Sequence, residues 1–169
     1  MEKLKKLKFN IKTIIKTFFI VFFITCFSII LIQRVRGKVP TLFNLSVFVV
    51  VSDSMFPLYE VDDVILVSHP DPSKIKKGDD ITYNGVEGDF AGKVITHRVV
   101  EEPWEVDGVV HFQTQGIKQF ASLDPEITEE QYIGKVVGKL SILTVCFKVL
   151  TSTLGFIFVV AIPMIILLV

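Results

Sequence analysis

The sequence predicts a mainly β fold, in which a small β domain lies between two transmembrane helices. Three observations support this prediction. Half of the 169 residues are hydrophobic and the mean hydropathy is +0.56, which is too apolar for an ordinary small soluble domain. Two stretches near the ends of the chain carry no charged residue. The residues between them form short segments rich in β-branched and aromatic side chains.

The first uncharged stretch, Thr17–Gln33, is predicted to cross a membrane. Its 17 residues are about the minimum for a hydrocarbon core of ~30 Å at ~1.5 Å of rise per helical residue. Six lysines and one glutamate precede it, so the positive-inside tendency places residues 1–16 in the cytoplasm. The stretch continues into ILIQRVRGK and not into a small-x-small cleavage site, which favours an uncleaved signal-anchor over a cleaved signal peptide.

The second uncharged stretch is Val149–Val169, within a predicted C-terminal transmembrane segment at 142–169. It contains Pro163, which transmembrane helices tolerate better than soluble helices do. The alternative for either stretch is a buried helix of a soluble domain, but such helices seldom run this long without a polar face. Two spans place residues 34–141 outside the cytoplasm, and the predicted location is the cell membrane, with more than one pass.

Residues 34–141 are predicted to form one β domain, because no run of helical period and length occurs there. Turn signals such as HPDPS, KKGD and EVDG separate the strand-like segments, and GVEGDFAG is interpreted as a hairpin tip. The predicted strands are LSVFVVVS, DVILVS, DDITYN, KVITHRVVE, GVVHFQTQG and YIGKVVGKL.

Composition argues against several classes of function. The net charge is zero and the domain has no basic stripe interleaved with aromatic residues, so nucleic acid is not an expected partner. Cys26 and Cys146 lie in or beside apolar stretches and cannot form the disulfide framework of an exported domain. We expect no metal and no cofactor, because no His/Cys/Asp cluster has ligand spacing and no glycine loop is placed to bind phosphate.

Ser54 is the first candidate for chemistry. It lies in SDSMFP at the start of a strand-like segment, close to the first predicted span, and Pro57 constrains the bend that follows. A serine hydroxyl becomes a good nucleophile only when a base accepts its proton. The domain has three histidines: His69 lies in a turn, His111 has no distinctive neighbours, and His97 interrupts an apolar strand. Spacing alone leaves a structural role for each of them open.

The segments SDSMFP, VDDVILV, KKGDDITYN, ITHRVVE and FQTQG followed by LDP occur in an order that resembles the signal peptidase I family. The likeness is to its endoplasmic-reticulum-type branch, which also occurs in archaea and, as the W-type enzymes, in Gram-positive bacteria. It extends from Val50 to Gly138, and the two flanking apolar stretches fit it. The resemblance implies a signal-peptidase-type β domain at the membrane surface, which removes signal peptides from exported preproteins by Ser-His acyl transfer.

By this resemblance Ser54 is the nucleophile, His97 the general base and Asp124 the acid that orients the base. The backbone amide of Ser54 and the hydroxyl of Ser52 are the implied donors of the oxyanion hole. The Lys-based branch of the family has a lysine base, whereas Lys93 is interpreted here as a solvated charge.

Two positions depart from the family pattern. Asp53 stands where the family usually has glycine. The family usually has two acids after the TQG segment, and Ile117 occupies the place of the first. Only Asp124 remains, and it is displaced by about one residue from the usual position of the second acid. The alternative function is therefore a catalytically inactive, membrane-anchored β module that binds an exported partner. A serine peptidase with a general membrane or regulatory substrate is a third interpretation.

The expected partners are the signal peptides of secreted preproteins and membrane lipid, and the sequence does not say whether accessory subunits are needed. The substrate is expected to bind as an extended strand along an edge such as FVVVS, with small side chains at alternate positions. An apolar rim is expected to rest on the lipid headgroups. Its predicted members are Phe43, Leu45, Met55, Phe56 and Leu58.

Overall fold

The computed structural model describes residues 2–157 and residue 162, and the chain divides into two compact units between Ser46 and Val47. The first unit contains α1 (Glu2–Val35), which includes the whole predicted span at 17–33. Its section Ile11–Val35 has 25 residues and is long and apolar enough to cross a membrane. At ~1.5 Å per residue this section is about 37 Å long, which exceeds a hydrocarbon core of ~30 Å and leaves room for tilt.

The second unit is built mainly of antiparallel β-structure, as the sequence predicts. Two single-turn 3-10 helices, Pro72–Lys74 and Gly88–Phe90, lie in its connections. The first strand, β1 (Leu45–Val49), belongs to this unit from Val47 onward. The other strands are β2 (Val64–Ser68), β3 (Asp80–Asn84), β4 (Val94–Val99), β5 (Trp104–Val106), β6 (Val109–Phe112), β7 (Thr114–Gln115), β8 (Ile127–Thr128) and β9 (Tyr132–Lys139).

These strands form two sheets. The larger has the order β1-β2-β9-β3-β4-β7, and the smaller has the order β5-β6-β8. Each of the six predicted segments contains at least one strand, and the segment GVEGDFAG connects the antiparallel pair β3 and β4, so the predicted hairpin is confirmed. The short strands β5 and β8 were not predicted, because three residues and two residues are too few to show a period.

Two apolar clusters form the core of the second unit. The first includes Tyr83 and Phe112, with Tyr132 packed against it. The second is built around Met55 and Ile65, and Ile117 packs against it as a partly buried residue. Because Met55 is only 2% exposed, its predicted place in an apolar rim is wrong, whereas Phe56 and Leu58 are exposed.

The C-terminal part of the second unit begins with α2 (Ser141–Thr151), followed by α3 (Thr153–Phe156). Ser152 between them has an extended backbone, so the predicted continuous helix of 149–169 is interrupted there. Most of that predicted span lies outside the described residues.

The helix α2 is tied to the sheet at its start. The hydroxyl of Thr144 accepts a hydrogen bond from the amide of Val64, the first residue of β2 (2.9 Å). The fully buried carboxylate of Asp63, just before β2, binds both Lys148 of α2 (3.3 Å) and Lys139 of β9 (2.6 Å). Burial would raise the pKa of Asp63, but hydrogen bonds from Lys139, from the amide of Glu60 and from Lys148 outweigh it and lower that pKa.

Candidate active site

Ser54 lies on a tight turn that follows β1. The turn is closed by hydrogen bonds from the amide of Phe56 to the carbonyl of Asp53 (3.0 Å) and from the amide of Tyr59 to the carbonyl of Met55 (2.9 Å). The buried side chain of Met55 anchors the turn in the second apolar cluster. Ser54 is therefore fixed on both sides, by backbone hydrogen bonds and by the burial of the residue after it.

A second segment, which begins at Gly116, holds the same turn from the other side. The carbonyl of Ser54 accepts a hydrogen bond from the amide of Lys118 (3.0 Å). The ammonium group of Lys118 also pairs with the carboxylate of Asp53, and this pair, with burial opposing it, lowers the pKa of Asp53. Asp53, which departs from the family's glycine, is therefore accommodated as an exposed side chain paired with a lysine.

His97 lies in β4, the fifth of the six strands of the larger sheet, and is 5% exposed. Its Nδ1 atom is 2.6 Å from Oδ2 of Asp124. Asp124 is brought to this place by a backbone hydrogen bond from its own amide to the carbonyl of Thr114 (3.0 Å) and by the bridge between Gln115 and Leu123. The structure thus brings together two of the predicted site residues, which are 27 positions apart in the chain.

The carboxylate of Asp124 accepts two further hydrogen bonds. Its Oδ2 atom lies 2.7 Å from the hydroxyl of Thr114 and 3.0 Å from that of Tyr83, and both side chains are buried. Burial alone would raise the pKa of Asp124, but the hydrogen bonds from His97, Thr114 and Tyr83 outweigh it and lower the pKa below its ordinary value. Asp124 is therefore an anion at neutral pH, and Nδ1 of His97 is the donor in their contact.

Gly116 lies next to both Ser54 and the other ring nitrogen of His97. A Cβ atom built on Gly116 would lie 3.4 Å from Nε2 of His97, 3.4 Å from Cβ of Ser54 and 2.9 Å from the carbonyl oxygen of Ser54. Nε2 of His97 and the side chain of Ser54 are therefore both neighbours of Gly116, and the carbonyl of Ser54 is so close that a residue with a Cβ atom fits there only if something shifts. Sequence reasoning missed this residue, although it belongs to the TQG segment on which the resemblance partly rests.

The hydroxyl of Ser54 lies 3.2 Å from that of Ser52. Among the described residues this is its one hydrogen-bond partner, and its contact with Nε2 of His97 is not formed. Rotation of one side-chain torsion changes the direction of a serine hydroxyl, and the hydrogen bond between nucleophile and base is often loose without substrate.

A cleft of about 680 Å³ opens above these residues. The residues that line it include the end of β1, the following residues up to Val51, and Lys93 to Ile95 of the β4 segment. Most of the lining is apolar, while Ser52, Ser54, His97 and Asp124 supply polar groups at one place. An apolar cleft with a few convergent polar groups is the usual form of a binding site.

The other two histidines of the domain bind other groups, and Lys93 is exposed. His69 contacts the carbonyl of Ile133 through Nδ1 (2.6 Å), and His111 stacks on Trp104 and contacts Glu126. Lys93 lies on the wall of the cleft and is exposed, in agreement with its interpretation as a solvated charge.

Ile117, in the place of the family's first acid, has an apolar role. It packs against the cluster that contains Met55, and so helps to hold the turn of Ser54. An acid at this point would face apolar side chains, which is costly for a charge without a partner.

Within residues 2–157 and at 162, no group of three or more His, Cys, Asp and Glu residues could hold a metal ion. Cys26 and Cys146 are not joined by a disulfide. Comparisons with protein-family models, with curated proteins and with solved structures found no match to this chain.

Proposed function

We propose that this chain is a membrane-bound serine endopeptidase of the signal peptidase I type, which removes N-terminal signal peptides from exported preproteins. The observation that carries the proposal is the arrangement around Gly116. Nε2 of His97 and Cβ of Ser54 both lie next to this glycine, while Nδ1 of His97 is bound to Asp124. This is the order of nucleophile, base and orienting acid that acyl transfer by a serine requires.

In the proposed reaction Ser54 attacks the carbonyl carbon of the scissile peptide bond, and Nε2 of His97 accepts its proton. The resulting imidazolium is stabilised by the carboxylate of Asp124, which stays ionised. His97 then gives the proton to the leaving amine, and water hydrolyses the ester by the same route in a second step. Each step moves one proton through Nε2, so no cofactor is needed.

The negative charge of the tetrahedral intermediate requires hydrogen-bond donors. The amide of Ser54 is one candidate, and the hydroxyl of Ser52 is the other. The distance of 3.2 Å between the two serine hydroxyls supports this choice, because Ser52 lies close to the proposed nucleophile. Attack by Ser54 would end the contact between the hydroxyls and free that of Ser52 to donate to the oxyanion.

The substrate is proposed to lie extended in the cleft, along the residues that follow β1. Alternate side chains of such a strand point into the apolar wall, and shallow pockets there would accept small residues. The helix α1 would anchor the enzyme, with its lysine-rich start in the cytoplasm and the β unit outside. The C-terminal segment at 142–169 would form a second pass.

The decisive experiment uses the full-length, detergent-solubilised protein with a preprotein, followed by sequencing of any new N-terminus. Cleavage after a small-x-small sequence by the wild type and by Ser73→Ala is expected, since Ser73 is an exposed serine outside the cleft. Ser54→Ala should be inactive. Cleavage by Ser54→Ala at the wild-type rate, or at sites without small residues, would contradict the proposal.

The second candidate is an inactive β module that binds an exported partner. The contact of Ser54 with Ser52 and the absence of an acid at Ile117 favour it. This alternative predicts that the wild type binds the preprotein as tightly as Ser54→Ala does, and that neither cleaves it.

A further inference from the structure

Asp124 receives more hydrogen bonds than the orientation of a histidine requires. Three donors converge on its Oδ2 atom, namely Nδ1 of His97 at 2.6 Å, the hydroxyl of Thr114 at 2.7 Å and the hydroxyl of Tyr83 at 3.0 Å. Neither Thr114 nor Tyr83 was singled out in the sequence, where both look like ordinary strand residues.

Each of the two hydroxyls has one hydrogen to give. Thr114 is 2.7 Å from Asp124 but 3.4 Å from the oxygen of Tyr83, so its hydrogen belongs to the carboxylate. The hydrogen of Tyr83 points to the same oxygen. A protonated Asp124 could not accept all three bonds well at Oδ2, so this arrangement selects the ionised form.

The strand register explains why these side chains meet. Tyr83 of β3 lies opposite Ile95 of β4, and His97 is two residues further along, so the two side chains share a face of the sheet. Val99, on that same face, lies opposite Thr114 of β7. The donors therefore come from three neighbouring strands, β3, β4 and β7.

Both hydroxyl donors are held rigidly. Tyr83 is 1% exposed and its ring belongs to the apolar cluster with Phe112 and Ile127. Thr114 is completely buried, and its carbonyl oxygen accepts a hydrogen bond from the amide of Asp124. A change in the side chain of Thr114 can therefore remove one hydrogen bond while the backbone contact remains.

We propose that Thr114 and Tyr83 are positioning residues for the catalytic pair, which keep Asp124 ionised and fix its Oδ2 atom against Nδ1 of His97. This inference rests on the proposed function. Its chemical consequence is that the lone pair of Nε2 is held in the direction of Ser54 before substrate binds. The residues act on the reaction through Asp124 and His97 and do not touch the substrate themselves.

The test compares Thr114→Val, which removes the hydroxyl at nearly constant shape, with Thr114→Ser, which restores a donor. The control is Thr82→Val, because Thr82 is equally buried and its hydroxyl pairs with Thr96 on the opposite face of the sheet. Tyr83→Phe removes the second donor. Folding of each variant is checked by thermal unfolding. The kcat and KM for cleavage of one preprotein are measured at a constant, excess concentration of detergent.

Thr114→Val is expected to lose about tenfold in kcat with little change in KM, whereas Thr114→Ser should recover most of that loss. Thr82→Val should keep the wild-type kcat even if its unfolding temperature falls as far as that of Thr114→Val. The role would be overturned if Thr114→Val and Thr82→Val lose kcat equally, or if Thr114→Ser does not recover it.

A second readout does not depend on cleavage. The proton on Nδ1 of His97 is followed by NMR in protein labelled with ¹⁵N-histidine, in the absence of substrate. Thr114→Val and Tyr83→Phe should shift this resonance, and Thr82→Val should not. An unchanged resonance in both variants would overturn the positioning role. Failure of the wild type to cleave any preprotein, with the expected shifts present, would instead overturn the proposed function alone.

Discussion

The substitution Gly116→Ala tests the geometry of the candidate site most directly. The new methyl carbon would lie 2.9 Å from the carbonyl oxygen of Ser54, closer than real Cβ atoms come to other heavy atoms. It would also lie 3.4 Å from both Nε2 of His97 and Cβ of Ser54. Gly116 does not have a positive φ, so the backbone itself can accept alanine and the effect is steric.

The expected loss follows from the shift that the methyl group requires. The carbonyl of Ser54 must move by a few tenths of an ångström to restore ordinary contact, which also strains its hydrogen bond from Lys118. A misplacement of ~1 Å can cost about 10²-fold, so a smaller shift predicts a loss of about 10- to 100-fold in kcat/KM. This corresponds to about 1.4–2.7 kcal/mol of transition-state stabilisation.

The assay is the initial rate of cleavage of one preprotein by purified variants, with thermal unfolding measured in parallel. Gly138→Ala is the matched control, because a Cβ there meets no atom within 4 Å and Gly138 also lacks a positive φ. It should cleave as the wild type does. Wild-type cleavage by Gly116→Ala would refute the view that nucleophile and base meet across this glycine, as would an equal loss in Gly138→Ala.

Three further predictions follow from the structure. Protonation of Asp124 should cause no loss of cleavage at or above the ordinary carboxyl pKa of about 3.9, because hydrogen bonds from His97, Thr114 and Tyr83 outweigh burial and lower the pKa of that carboxyl. A loss of cleavage that Asp124→Asn shifts to lower pH would contradict this. Asp63→Asn should lower the free energy of unfolding by about 2 kcal/mol at pH 7 in chemical denaturation, because it loses charged hydrogen bonds at a buried site. Folding lowers the pKa of Asp63, so the stability that its carboxylate contributes is fully present above the ordinary carboxyl pKa of about 3.9. This stability disappears as the pH falls through the lowered pKa of the folded protein. A difference in unfolding free energy between the wild type and Asp63→Asn that persisted at lower pH would argue against this role. Finally, a protease site inserted at 85–92 should be cut from outside intact cells while one placed before Met1 is protected, and the reverse pattern would invert the proposed topology.

Much of the β fold could be predicted from the sequence because its main strands are long enough to show their pattern. β3 is mostly buried and β4 is partly buried, both contain β-branched residues, and both are bounded by glycine and charged turns. The strand order could not be predicted, because β9 pairs with β2 and β3 through contacts that join distant parts of the chain. The break at Ser152 was also missed, since nothing in an uncharged apolar run marks an extended residue within it.

The candidate site was only partly accessible from the sequence. Ser54 and His97 could be chosen from the sequence only through the resemblance to a family, and the structure places both next to Gly116. Thr114 and Tyr83 could not be found in this way, because a hydroxyl in a strand acquires its role only from the partner that folding brings to it. The apolar contacts of Ile117 likewise depend on a turn more than fifty residues earlier in the chain, at Met55.

The central place of β9 has a consequence for biosynthesis. Among the strands of the described residues, β9 is the last to leave the ribosome, yet it lies between β2 and β3, which both pair with it. Until residues 132–139 are available, the earlier part of the large sheet consists of two separate groups, β1 with β2 and β3 with β4 and β7. The turn of Ser54 lies between β1 and β2 of the first group, and His97 lies in the second. A nascent chain without β9 therefore lacks the strand that joins these two groups, and the segments of Ser54 and His97 are not yet parts of one sheet.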